Sequence, residues 1–280
     1  MKHLNAGKYR LELGKKTHVM GILNFTPDSF SDGGDYFNVQ EAARRAAQIE
    51  ALGADIIDIG ANSTRPGAEI LSAKSELARL ESVLPAVCGA VNIPVSVDTF
   101  YPECAQYALK SGASIINDVS GTFNPEIAEL VKQYDASLVV THNPCGASET
   151  QDYNGGVVAA VRAFFLDSIG KAAQSSLPLG SLCLDPGIGF GKSDADNLEI
   201  IRNLNWLKIN PCALLFAASR KRVTALDRTD PKDRDFSSVS ANTAAVAGGA
   251  DIIRVHNITA GVDCARMADR IYRRNGENNG

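Results

Sequence analysis

Eight short apolar runs recur along the chain, and nearly all of them end on a polar residue or lead straight into one. They are Val19–Leu23 before Asn24; Ala54–Ile59, with Asp58 inside it and Asn62, Ser63, Thr64 and Arg65 beyond; Ile93–Val97 before Asp98; Ser114–Ile116 before Asn117 and Asp118; Ser137–Thr141 before His142; Leu182–Leu184 before Asp185; Leu214–Ala218 before Ser219, Arg220 and Lys221; and Asp251–Ile253 before Arg254, Val255 and His256. A continuous apolar run of this length predicts a strand buried on both faces, which is the habit of parallel sheets. Segments with helical spacing lie between them, at Val39–Leu52, Pro102–Ser111, Pro125–Tyr134, Val157–Gln174, Leu198–Leu207, Ser237–Gly248 and Thr259–Arg274. Gly53 and Gly112 supply stop signals, and Asn124 before Pro125 supplies a start signal. The regular alternation predicts an α/β fold, a single (β/α)8 barrel over residues 1–280, with a short strand at Arg10–Leu13 plugging its floor.

Parallel strands put all their C-terminal ends on one rim, the rim where barrel enzymes carry their chemistry. Here it collects Asn24, Asp98, Asp118 with Asn117 beside it, His142, Asp185, Lys221, Arg254 and His256. One polar residue at a strand end often does no more than cap the next helix. Eight converging on one mouth are hard to explain that way, because buried charges are costly unless paired with each other or with a ligand. His142 reads equally as a structural residue or a ligand, and His3 and His18 read as surface residues. No trio of His, Cys and carboxylate falls at zinc-site spacing.

Composition narrows the class. At 280 residues, 45% hydrophobic and 21% charged, the chain buries one large core, and a barrel of about 250 residues leaves no second domain to find. The net charge of -4 gives no reason to expect nucleic acid or an anionic membrane. No apolar stretch reaches the ~18 residues a membrane span needs, and Met1–Gly14 lacks the apolar middle of a signal peptide. Six cysteines without a C-x-x-C pair predict free thiols in a reducing cytoplasm. Three matches to the glycosylation sequon carry no meaning in that compartment.

Three loops stand out. Asn24–Gly34 is long for a strand-to-helix loop and ends in a glycine pair, which predicts a mobile lid. Asn62–Gly67 combines hydroxyls, an amide and the fork of Arg65, which suits an anion site or a surface turn. Leu184–Ser193 approaches a phosphate-binding loop, but Pro186 stands where that motif needs Gly, so nucleotide triphosphate binding is rejected.

Taken together, the segments Met20–Gly34, Ser63–Gly67, Val97–Thr99, Ile115–Asp118, Asp185–Lys192, Ser219–Lys221 and Arg254–His256 resemble, in order, the motifs of the dihydropteroate synthase family. The resemblance covers nearly the whole chain. It implies condensation of 6-hydroxymethyl-7,8-dihydropterin diphosphate with 4-aminobenzoate, assisted by Mg²⁺. On the same resemblance, Asp185 takes the pterin edge, Asp98 and Asn117 the other ring nitrogens, Lys221 the ring carbonyl, and Arg254 the ring face and phosphate. Asn24, Arg65 and His256 match the diphosphate and magnesium site, with Asn24 the metal ligand. Thr64, Pro66, Ser219 and Phe25 lie near the second substrate, and a homodimer built through barrel helices is implied. The chain departs from the family pattern at Ala61 and Asn62, where Gly and Glu are usual, at Asn257, where an acid is common, and at Thr141, where Met is frequent. Two alternatives remain: a methyltransferase domain with the same pterin floor, and a catalytically silent pterin-binding protein.

Overall fold

The computed structural model describes residues 2–25, 35–61, 70–144 and 150–273. Among them, β3 (His18–Asn24), β4 (Ile56–Gly60), β5 (Val95–Asp98), β6 (Ile115–Asp118), β7 (Ser137–Thr141), β8 (Leu182–Asp185), β9 (Ala213–Phe216) and β10 (Ile252–Val255) form a closed barrel in chain order, with β10 returning to β3. Every pairing around it is parallel. Outside the strands run α1 (Asp35–Ala51), α2 (Ala73–Ala90), α3 (Pro102–Lys110), α4 (Pro125–Gln133), α5 (Val157–Gln174), α6 (Asp194–Arg202), α7 (Leu204–Leu207), α8 (Asp235–Ala247) and α9 (Ile258–Tyr272).

The strands are buried on both faces because alternate residues serve two different cores. Val19, Leu23, Ile57, Ile59, Val97, Ile116, Leu138, Val140, Leu182, Leu184, Leu214, Phe216, Ile253 and Val255 pack outward with the helices. Met20, Ile56, Ile115, Val139, Cys183, Ala213, Leu215 and Ile252 fill the barrel interior. These inward residues also meet Leu4, Ala6, Leu11 and Leu13.

Leu4, Ala6 and Leu11 belong to an antiparallel hairpin of β1 (His3–Ala6) and β2 (Tyr9–Glu12), which Leu13 follows, so the floor is closed by two strands and not by the single one the sequence suggests. Ser137 Oγ donates to Asn5 O, tying the hairpin to β7. His18 is a second correction: it is buried, not on the surface. Its Nε2 lies 2.8 Å from Glu12 O, and its Nδ1 lies 3.8 Å from Asp55 Oδ1. Burial pushes the Asp55 carboxyl up, but nearby His18 and the hydrogen bonds from Lys16 and the Val19 N–H outweigh it and hold it at about 2.

Two helices differ from expectation. α2 is additional; Ser72 caps it by accepting from the Ser75 N–H, and Leu80, Val83, Leu84 and Val87 form its buried stripe around an internal Pro85. The segment expected at Leu198–Leu207 begins earlier, behind a Ser193–Asp196 capping box, and breaks at Asn203 into α6 and α7. No described helix is long and apolar enough to cross a membrane.

Candidate active site

The barrel changes character one pleat above its apolar layer. Ile56, Ile115, Val139, Cys183 and Ile252 are followed two residues later, on the same inward face, by Asp58, Asn117, Thr141, Asp185 and Arg254. Register sets three pairs side by side across neighbouring strands: Asp58 opposite Ser96, Asp98 opposite Asn117, and Thr141 opposite Asp185. Asp58 lies fully buried at its centre. It accepts from Ser96 Oγ at 2.6 Å, Asn117 Nδ2 at 3.4 Å and Arg254 Nε at 2.6 Å. Arg254 Nη2 reaches on to Asp98 Oδ2 at 3.5 Å. Asn117 Oδ1 is buried with no hydrogen-bond partner among the described residues.

At β8 the Asp185 carboxylate is aimed by its own turn, since Oδ1 accepts from the Gly187 N–H at 2.8 Å. Gly187 has φ +67, and a Cβ there would sit 2.1 Å from His142 O, so only glycine fits. Lys192 Nζ clamps the turn by donating to the carbonyls of His142, Gly187 and Phe190 at 3.0, 2.9 and 2.8 Å. Lys221 Nζ donates to Ile188 O at 2.6 Å and stands 4.6 Å above the Phe190 ring.

Electrostatics follow from burial. Burial pushes Asp98 up to about 7, with the Asp58 charge adding to it and Arg254 opposing. Burial also raises Asp185, against Lys221 and the Gly187 N–H. It drives Lys221 down to about 8, with Asp185 opposing. Arg254 is held above its usual value despite burial, because Asp58 and Asp98 face it. The mouth is therefore acidic beneath and cationic at its edge, which suits a flat, donor-rich heterocycle with an anionic tail.

On the far side, Ser219 Oγ lies 3.0 Å from His256 Nδ1 and accepts from the His256 N–H at 3.2 Å. Asn257 caps α9 through Ala260 N and donates from Nδ2 to Asp235 Oδ2 at 2.9 Å, the same carboxylate that Arg220 grips through both its Nε and Nη2. An acid at Asn257 would face Asp235, so the departure from the family pattern is accommodated by this pair. Asn24 ends β3 half-buried. Phe25 N donates to Gly60 O, and its ring packs on the layer between strands and helices. Thr64, Arg65, Pro66, Asn62 and the lid expected at 26–34 lie outside the described residues.

The structure thus gathers Asp98, Asn117, Asp185, Lys221, Arg254, Ser219 and His256 around one mouth. His142 is resolved toward a structural role: burial lowers it to about 3, and its ring meets Phe164 edge-on at 5.3 Å. Asp118, expected on the rim, is a correction: it has the outward register and accepts from Ser120 N at 2.8 Å within its own turn. Asp58 is the residue that sequence reading missed. Its signal was a carboxylate at an inward position of an otherwise apolar run.

Comparison with known proteins identifies the family. The family model described as pterin binding enzyme matches residues 20–256. A dihydropteroate synthase of Synechocystis is 41% identical over 276 residues, covering 96% of this chain and 95% of the relative. The structure of a Clostridium difficile dihydropteroate synthase, crystallised in the presence of pteroic acid, superposes with a TM-score of 0.88 at 37% identity, covering 94% of this chain and 100% of that one. A Xanthomonas albilineans dihydropteroate synthase with 4-aminobenzoic acid gives 0.89 at 36% identity, covering 96% and 98%. With a family match across the barrel and relatives at this identity along nearly its full length, the chain belongs to the dihydropteroate synthases, transferases of the pterin binding enzyme family.

Proposed function

We propose that the barrel mouth binds 6-hydroxymethyl-7,8-dihydropterin diphosphate and 4-aminobenzoate and joins them into 7,8-dihydropteroate, releasing diphosphate. The observation that carries this reading is the polar layer itself: an aimed carboxylate at Asp185, an unmatched acceptor at Asn117 Oδ1, and Lys221 and Arg254 at the edge. Asp185 accepts the paired donors of the pterin edge, while Asp98 and Asn117 take ring N–H groups. Lys221 donates to the ring carbonyl, and Arg254 covers the ring face while turning toward phosphate.

In the reaction the bond from the pterin methylene carbon to the diphosphate oxygen breaks, and its electron pair leaves with diphosphate. The amine nitrogen of 4-aminobenzoate then forms the new bond to that carbon and releases a proton. An aromatic amine is a weak nucleophile, so bond breaking runs ahead and the cation is delocalised into the electron-rich ring. Arg65, Arg254 and His256 hold the departing anion, and Thr64, Pro66, Ser219 and Phe25 border the amine.

Magnesium fits as a companion of the diphosphate. Asn24 offers one neutral amide oxygen, a hard donor suited to an ion that keeps water and phosphate oxygens around it. No cluster of three His, Cys, Asp or Glu ligands exists among the described residues to hold an ion alone. When bound, Mg²⁺ supplies charge neutralisation at the phosphate oxygens.

A homodimer is part of the same reading. Its support is a cleft of about 860 Å³ along α8 and α9, bordered by the exposed Phe236, Met267 and Ile271. A reducing cytoplasm agrees with the described cysteines, which are free thiols. Incubating the protein with dihydropterin diphosphate, 4-aminobenzoate and Mg²⁺ tests the whole reading: dihydropteroate and diphosphate should form in equal amounts, and a protein that binds pterin without turnover would contradict it.

A further inference from the structure

Asp58 has no role in the reading above, yet it touches two residues of the pterin site at once. Its Oδ1 accepts from Ser96 Oγ, and its Oδ2 accepts from Arg254 Nε and from Asn117 Nδ2. A carboxylate in an ion pair offers acceptors only, so an amide facing it must present its NH₂ side. Asn117 therefore turns its carbonyl away, and that Oδ1 stays buried without a partner among the described residues. An unmatched buried acceptor costs free energy. The orientation is one that an arriving donor would complete.

We infer that Asp58 is a positioning residue of the pterin site: by fixing the Asn117 amide and the Arg254 guanidinium in one geometry, it makes Asn117 Oδ1 an obligate acceptor for a ring N–H of the dihydropterin. The inference rests on the pterin reading and names what holds that site in register. Arg254, anchored through Nε, extends its Nη2 end to Asp98. Ser96 in turn fixes the rotation of the Asp58 carboxylate.

Calorimetric titration with 6-hydroxymethyl-7,8-dihydropterin, which carries no phosphate, tests this on four proteins: wild type, Asp58→Asn, Asn117→Asp and the double variant. Asp58→Asn should bind at least tenfold more weakly, because the Asn117 amide is then free to take either orientation. Asn117→Asp alone should also weaken binding, since it sets a second carboxylate against Asp58. The double variant restores one carboxylate and one amide, with an acceptor facing the ring whichever way it turns, so its affinity should return to within about threefold of wild type. A merely structural Asp58 would not be repaired by that exchange. If folded Asp58→Asn binds within twofold of wild type, or the double variant binds no better than Asp58→Asn, the inference is overturned. Should Asp58→Asn fail to show a cooperative thermal transition, Ser96→Ala decides: pterin affinity should fall two- to fivefold with the Michaelis constant for 4-aminobenzoate unchanged, and a loss below twofold overturns the inference. Absence of wild-type binding would instead overturn the pterin reading, and this inference with it.

Discussion

The amino group and neighbouring ring N–H of a pterin are two parallel donors, and a carboxylate accepts both. Asp185 is already aimed by the Gly187 N–H, so little ordering remains when the ring arrives. Asp185→Asn replaces one acceptor by a donor in a buried place, at a cost of about 1–3 kcal/mol for a lost bond and more for a charge-assisted one. Pterin affinity should therefore fall at least tenfold by calorimetry, and a change within threefold would remove Asp185 from the ring edge. Two neighbours set the pH behaviour. Asp98, pushed up to about 7, accepts an N–H as a carboxylate, so its contribution grows as pH rises through that value. Lys221, pushed down to about 8, donates as an ammonium, so its contribution fades as pH rises past 8. The rate constant kcat/KM for dihydropterin diphosphate should be bell-shaped with its maximum between these values, and Asp98→Asn should flatten the acid limb. A wild-type profile flat from pH 6 to 9 would contradict both assignments.

Strands were the legible elements, together with the second strand of the floor, which matches the plug expected at Arg10–Leu13. Runs such as Ser137–Thr141 and Leu182–Leu184 are apolar at both parities because one parity serves the helices and the other the interior, and that is visible in sequence. The rim residues Asp98, Asn117, Asp185 and Arg254 were legible for the same reason, each standing where an apolar run ends. Asp58 was hidden by lying inside its run, below the rim. α2 was obscured by Pro85, which withholds one backbone donor while the stripe from Leu80 to Val87 still holds the helix to its neighbours. The first strand of the hairpin escaped because β1 has only Leu4 and Ala6 facing inward, a pattern too short to distinguish from a loop. These two ends of the barrel should separate experimentally. Leu4→Ala opens the floor beneath Met20 and Ile56 and should lower unfolding stability by about 2–5 kcal/mol in urea, while pterin affinity at the opposite end stays within twofold. A parallel loss of affinity would mean that floor and mouth are coupled.

At the scale of the whole molecule, one outer face joins exposed apolar side chains to a cleft. Leu166 and Trp206 are exposed on other helices, but α8 and α9 leave Phe236 83% exposed with Met267 and Ile271 also exposed along the cleft between them. An apolar patch of this kind marks a protein interface more often than a bare surface. The same face leads inward to the mouth. Asp235, the first residue of α8, grips Arg220 beside Lys221 and accepts from Asn257 beside His256. A second copy seated on α8 and α9 would therefore steady the two turns that carry Lys221 and His256. Phe236→Asp places a charge at the centre of such a contact, where burial without a partner is costly. It should yield a folded monomer by light scattering after gel filtration, with kcat/KM reduced several-fold and the thermal transition of the barrel retained. A variant that stays dimeric would place the contact on another face, and a monomer with full activity would show that the interface leaves Lys221 and His256 undisturbed.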